Sequence, residues 1–199
     1  MAKKEFGWHF VADKLRDGSP IPADGVPLVY SGAIHICTSG LHFSSKPHQA
    51  LRYAPGNTLC YVQVEDVRER QADKGVCSKR TIIKRINAKQ LMRRFACDQA
   101  LSVAHLREPN AVVDKYLQTA DPALRDAARS AAWNAARYVA SSAAWDAASS
   151  AAWDAASSAA WDAASSAAWD AAWDAARYAV WNAAWEEFDR RVYAAFGLN

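Results

Sequence analysis

Apolar and polar positions alternate, or cluster as aromatic and β-branched residues, in several short runs of the N-terminal half. Residues 6–11 (FGWHFV), 59–64 (LCYVQV) and 81–86 (TIIKRI) each predict a strand, and 33–37 (AIHIC) predicts a further short one. Gly18, Pro20, Pro22, Gly25, Pro27 and Gly32 exclude a helix from the stretch before the 33–37 run, and Ser39-Gly40 marks a turn. Ser44 or Ser45 is placed to cap a short helix from Pro47 to about Tyr53, which Pro55-Gly56-Asn57 ends. The expectation is a compact β-rich head of four to six strands with one helix over residues 1–95.

From Asn87 the spacing becomes helical. In residues 88–106, Leu91, Phe95, Ala96, Ala100, Val103 and Leu106 recur near 3.6 residues and predict one buried helix face. Pro109-Asn110 breaks this helix, residues 111–118 predict a second, and Asp121-Pro122 reads as a cap followed by a first-turn proline. The tail is then written in fours. Fifteen consecutive doublets begin at positions 127 to 183, and thirteen of them are Ala-Ala. Eight of the nine Trp residues lie in this tract, whose central unit, SSAAWDAA, has period eight.

Alanine is the strongest helix former, and no Gly or Pro interrupts residues 123–196. A four-residue step overshoots a helical turn by about 40°, so Trp145, Trp153, Trp161 and Trp169 would spiral around a straight rod instead of lining one face. A lone rod of about 110 Å exposing eight indoles would aggregate. A packed helical array, within the chain or between chains, is therefore expected, with Trp145, Trp153, Trp161, Trp169 and Trp173 on its interaction surface. The predicted fold class is α+β: a head (1–95), a helical connector (96–122) and an all-α Ala/Trp-rich repeat domain (123–199).

Charge sharpens this division. The chain carries 24 Lys and Arg against 21 Asp and Glu, but residues 1–120 hold +7 and residues 121–199 hold −4. No run reaches the roughly 18 uncharged apolar residues of a membrane span, because aspartates interrupt the alanine tract. The opening residues have no secretory pattern, and the four cysteines form no CxxC pair, so a reduced, cytoplasmic protein is expected.

Candidate chemistry is sparse. Lys79, Arg80, Lys84, Arg85, Lys89, Arg93 and Arg94 form the densest basic run, suited to nucleic acid, an acidic partner or the chain's own acidic tail. Its plain alternative is the solvated face of a strand and a helix. Residues 141–176 hold five Asp and no Lys or Arg, which argues against single-stranded nucleic acid stacking on the indoles. Cys37, His42, Cys60 and Cys77 have the number but not the spacing of a zinc set, and no metal or cofactor is predicted. His9, His42 and Tyr53 are the catalytic candidates of the head, which has no glycine-rich phosphate loop, GxSxG or HExxH.

Trp8-His9-Phe10-Val11, Leu15-Arg16-Asp17-Gly18, Cys37-Thr38-Ser39-Gly40-Leu41-His42, Ala50 to Gly56 and Asp73-Lys74 follow in order. This succession resembles an uncharacterised phage and bacterial family in which such a head precedes Ala-Trp-Asp-Ala-Ala repeats. Arg94-Phe95-Ala96-Cys97-Asp98 before Ala-rich helices is similar to helical proteins labelled immunity proteins. Residues 40–44, Ala50-Leu51-Arg52-Tyr53-Ala54 and the strand at 59–64 resemble part of an ADP-ribosyltransferase fold. That resemblance implies a nicotinamide pocket in which His9 or His42 and Tyr53 take the clasping roles, and Glu65 or Glu69 the catalytic carboxylate. The leading expectation is a phage-associated cytoplasmic interaction or assembly protein. Its repeat would bind a protein partner or self-associate, acting against a host system. An NAD-binding or degenerate transferase-like head and nucleic-acid binding through the basic run are the alternatives.

Overall fold

The computed structural model describes residues 4–102, 104, 109–134 and 182–198. The chain divides into two compact units, one of Met1–Met92 with Trp185–Asn199 and one of Arg93–Ala184. The first is a mixed α+β unit. Its elements are β1 (Glu5–Val11), β2 (Pro27–Val29), β3 (Leu41–Phe43), α1 (Pro47–Leu51), β4 (Thr58–Arg70) and β5 (Gly75–Asn87). The sheet is antiparallel in the order β1-β4-β5-β2, with β3 beside β2 on the same edge of β5. Directly after β3, Ser44 exchanges two backbone hydrogen bonds of 2.8 and 2.9 Å with Trp8 of β1. β1, β4, β5 and the β3 segment thus close into a small ring.

The period of two along β1 and β4 sends side chains to opposite faces. Val11, Cys60, Val62 and Val64 point inward with Phe43, Cys77 and Ile82 to form one core cluster. Phe43 fits because glycines flank it. A Cβ on Gly7 or on Gly75 would lie 2.7 Å from its ring. On the other face, Trp8 and its register partner Tyr61 meet the C-terminal helix, α4 (182–196), whose later turns belong to this unit. Phe196 stands edge-on to Trp8 at 4.9 Å, and Tyr193 does so at 5.5 Å. Phe188, Val192 and Phe196, spaced four apart, are buried along one side of α4. Gly197 (φ 72°) ends the helix, its N–H reaching Ala194 and that of Leu198 reaching Tyr193 in the pairing of a Schellman motif.

α4 also holds α1. The buried carboxylate of Asp189 accepts the backbone N–H of His48 at 2.8 Å and meets the His48 Nδ1 at 2.7 Å. Trp185 stacks on the same imidazole at 5.6 Å. At the far end, the Lys84 ammonium donates to the carbonyl of Phe196 at 2.8 Å.

In the second unit, the later turns of α2 (Lys89–Ser102) pair with α3 (Ala111–Thr119). Arg94 donates to the last carbonyls of α3, Leu117 and Gln118, at 2.7 Å each, and also pairs with Asp98. Asn110 caps α3 through the N–H of Val113, and Asp121 caps a 3-10 turn, Pro122–Leu124, that leads into a helix over 125–134.

Three expectations are corrected. Residues 33–37 are a turn, not a strand, because Cys37 takes a left-handed φ of 70° and His35 bonds back to Ser39. β4 and β5 run well past 59–64 and 81–86, since their hairpin places the charged positions 65–70 and 79–80 in register as well. On α2, Ala96 is exposed and Cys97 is the buried residue, while Val103 and Leu106 lie outside the described residues. The central Ala/Trp tract, residues 135–181, also lies outside them, and with it Trp145, Trp153, Trp161, Trp169 and Trp173.

Candidate functional site

A cavity of about 460 Å³ lies against β1 and the β3 segment. Its walls come from β1 (Trp8 to Val11), the loop after it (Lys14, Leu15, Arg16), the 37–44 segment, and the α1 region with Ala50, Tyr53 and Pro55. Lys74, from the β4–β5 turn, completes the rim. His9, His42 and Tyr53, singled out separately in the sequence, thus line one space.

Each is held differently. His9 follows Trp8 on β1, so its side chain points to the face opposite the indole, beside its register partner Cys60. Among the described residues, no hydrogen-bond partner reaches its ring. Burial first, then the Arg80 guanidinium and His42, holds His9 well below the usual imidazole range. His42 on β3 accepts the backbone N–H of Cys37 at its Nε2, at 2.9 Å, which puts the ring proton on Nδ1. His42 is therefore a positioning residue, fixing the left-handed turn at Cys37. Its own pKa is lowered by burial, a hydrogen bond to the Gly40 backbone opposing this while Arg80, Lys74 and Arg16 add to it. The Tyr53 hydroxyl donates to Asp73 at 2.6 Å and accepts from Lys74 at 3.3 Å, the ammonium lying 4.7 Å from the Tyr53 ring centre. Lys74 is raised above the usual lysine value by Cys37 and Tyr53.

The charged residues of the wall are all cationic: Lys14, Arg16 and Lys74. Behind it sits Arg80, 7% exposed, which donates to the carbonyl of His42 and has no carboxylate within ion-pair distance among the described residues. Burial brings Arg80 down to about 10. The carboxylates proposed for catalysis are elsewhere. Glu65 pairs with Lys79 at 3.0 Å, and Glu69 accepts the Ile36 N–H at 3.3 Å, and neither lines the cavity.

The basic run is divided between the two units, and within the first its members are engaged separately. Lys79 faces Glu65, Arg80 is buried, Lys84 binds Phe196, Arg85 pairs with Asp24, and Arg94 holds α3 in the second unit, where Arg93 also lies. Among the described residues no three His, Cys, Asp or Glu side chains converge as metal ligands. Cys60 and Cys77 are buried thiols pushed up to about 11 by desolvation. No described helix is long and apolar enough to cross a membrane.

Sequence reasoning missed Arg80 as a buried cation and the pair His48–Asp189. The signal for the second was present: Phe188, Val192, Phe196 and a following Gly197 spell an amphipathic helix with its stop. No curated protein matches the chain, and no solved structure matches it. A family model described as a domain of unknown function, DUF7666, matches residues 24–94, a span that includes His42, Tyr53, Lys74 and Arg80 but begins after His9.

Proposed function

We propose that the N-terminal unit is a small-molecule binding module of ADP-ribosyltransferase-like type that binds without transferring, joined to a repeat that serves as a protein-binding surface. The observation that carries this reading is one cavity lined by His9, His42 and Tyr53 with no carboxylate in its wall among the described residues. Glycosyl transfer from a nicotinamide nucleotide develops positive charge on the ribose, which a carboxylate would stabilise and a cationic wall opposes. Apolar groups such as Val11, Leu15 and Phe43 suit the flat rings of a nucleotide, and the cationic rim suits its phosphates.

NAD is the first ligand to test. Calorimetric titration is expected to give saturable binding that weakens at least tenfold in His9→Ala, with no release of nicotinamide. Release of nicotinamide at enzymatic rates would overturn the non-catalytic part. Absence of binding by NAD, ADP-ribose and adenosine alike would overturn the module itself.

The Ala/Trp tract supports the other half of the proposal. It offers indole surface and acidic charge but no reactive group, in keeping with a cytoplasmic, phage-associated protein whose packed helical repeat engages a partner or a second copy. Pull-down with the full chain and with a variant lacking one SSAAWDAA unit tests this. A specific partner or self-association that weakens when the unit is lost supports it, and a chain that is monomeric and captures nothing specific contradicts it.

A further inference from the structure

We propose that the cavity takes a ligand bearing a phosphodiester group, which lies between the His9 ring and the Lys14–Arg16–Lys74 rim, and that His9 carries a proton in the bound state. This rests on the reading that the cavity binds a small molecule, and adds the chemical class and the proton. Three observations carry it. The charged groups of the wall are of one sign. A further cation, Arg80, is buried behind it without a carboxylate partner among the described residues, an arrangement that is costly unless a countercharge arrives. His9 opens into the same space with no hydrogen-bond partner among the described residues.

The groups facing His9 decide its protonation. Arg80 approaches from β5 and His42 from β3, and the Cys60 thiol beside it on β4 stays protonated near neutral pH. Lys14 and Arg16 line the cavity from the loop after β1, with Lys74 on the opposite rim. Cys37 and Tyr53 add no carboxylate, and Asp73 beside them is engaged by the Tyr53 hydroxyl and by Arg52. In the empty cavity, then, a second charge on His9 meets only cations and neutral groups, and the ring is neutral. A bound phosphodiester reverses that field, and imidazolium becomes the better donor. Because His9 gains proton affinity on binding, the complex tightens as pH falls, by at most about tenfold per pH unit for one proton.

The probe is ADP-ribose, compared with adenosine. Its two phosphates form a pyrophosphate esterified at both ends, which lacks the second ionisation near pH 6 of a monoester, so any proton taken up near neutral pH belongs to the protein. Calorimetry in buffers of different ionisation heat counts the protons. The expected result is ADP-ribose binding at least tenfold tighter than adenosine, with uptake of up to one proton that vanishes in His9→Asn. Arg16→Glu, at an exposed rim position, is expected to weaken ADP-ribose by a larger factor than adenosine. Equal binding of both ligands with no proton uptake overturns the inference while the small-molecule reading stands. Uptake that persists in a folded His9→Asn variant overturns the role of His9. Absence of binding by ADP-ribose, adenosine and NAD alike overturns both.

Discussion

Asp189 is the residue through which the C-terminal helix holds the wall of the candidate site, and removing it has a calculable consequence. Asp189 is 6% exposed, and its carboxylate accepts the backbone N–H of His48 at 2.8 Å and meets the ring Nδ1 at 2.7 Å. A hydrogen bond to a charged group contributes about 1.5–3 kcal/mol, and a buried donor left without a partner costs about 1–3 kcal/mol. The ion loses hydration when buried, which offsets part of the gain. Asp189→Ala should therefore destabilise the first unit by about 3 kcal/mol, and Asp189→Asn, which keeps one acceptor, by about half of that. At roughly 4 °C or more per kcal/mol for a unit near 100 residues, the alanine variant should melt about 12 °C lower by scanning calorimetry. Pairing it with His48→Ala in a double-mutant cycle isolates the ring contact, since His48→Ala keeps its backbone N–H, and should give a coupling near 1 kcal/mol or above. Stability of Asp189→Ala within about 0.5 kcal/mol of the parent would refute the claim that α4 is fastened to α1 through this carboxylate.

Two further outcomes follow from the core. Gly75→Ala would set a Cβ 2.7 Å from the Phe43 ring, with Gly7 closing the other side, so overpacking should cost about 1–3 kcal/mol in urea unfolding. A cost below about 0.5 kcal/mol would show that Phe43 is not confined. The thiols should separate in a timed alkylation: exposed Cys37 reacts first, while buried Cys60, Cys77 and Cys97 react only on unfolding. With Cys60 and Cys77 at about 11 in the folded state against 9.0 for a free thiol, the unfolded chain ionises first, so stability falls as pH rises between those values. A melting temperature constant from pH 8.5 to 10.5 would contradict their burial.

Much of the first unit was legible in the sequence, because strands with one buried face alternate visibly. FGWHFV and LCYVQV do so, and they pair in register as β1 and β4. The charged half of the β4–β5 hairpin was hidden, since Glu65, Asp66 and Arg68 suggest a loop until the hairpin pairs them across from β5. Residues 33–37 misled in the other direction, because their alternation reads as a strand but cannot reveal the left-handed turn at Cys37. For the site, His9, His42 and Tyr53 were visible as separate words, and only the closure of Ser44 onto Trp8 explains why they meet. Arg80 was read as surface charge because a basic run gives no sign of which member points inward. Asp189 was masked by the alanine repeat that precedes it, and its partner lies 141 positions away in the chain.

The most direct test of the account is an NMR titration of the full chain, labelled at its five histidines, with NAD. The account predicts saturable shifts of the His9 and His42 ring resonances, with those of His35 and His48, which do not line the cavity, staying in place. Unchanged His9 and His42 resonances at millimolar NAD, or shifts confined to His35 and His48, would contradict it.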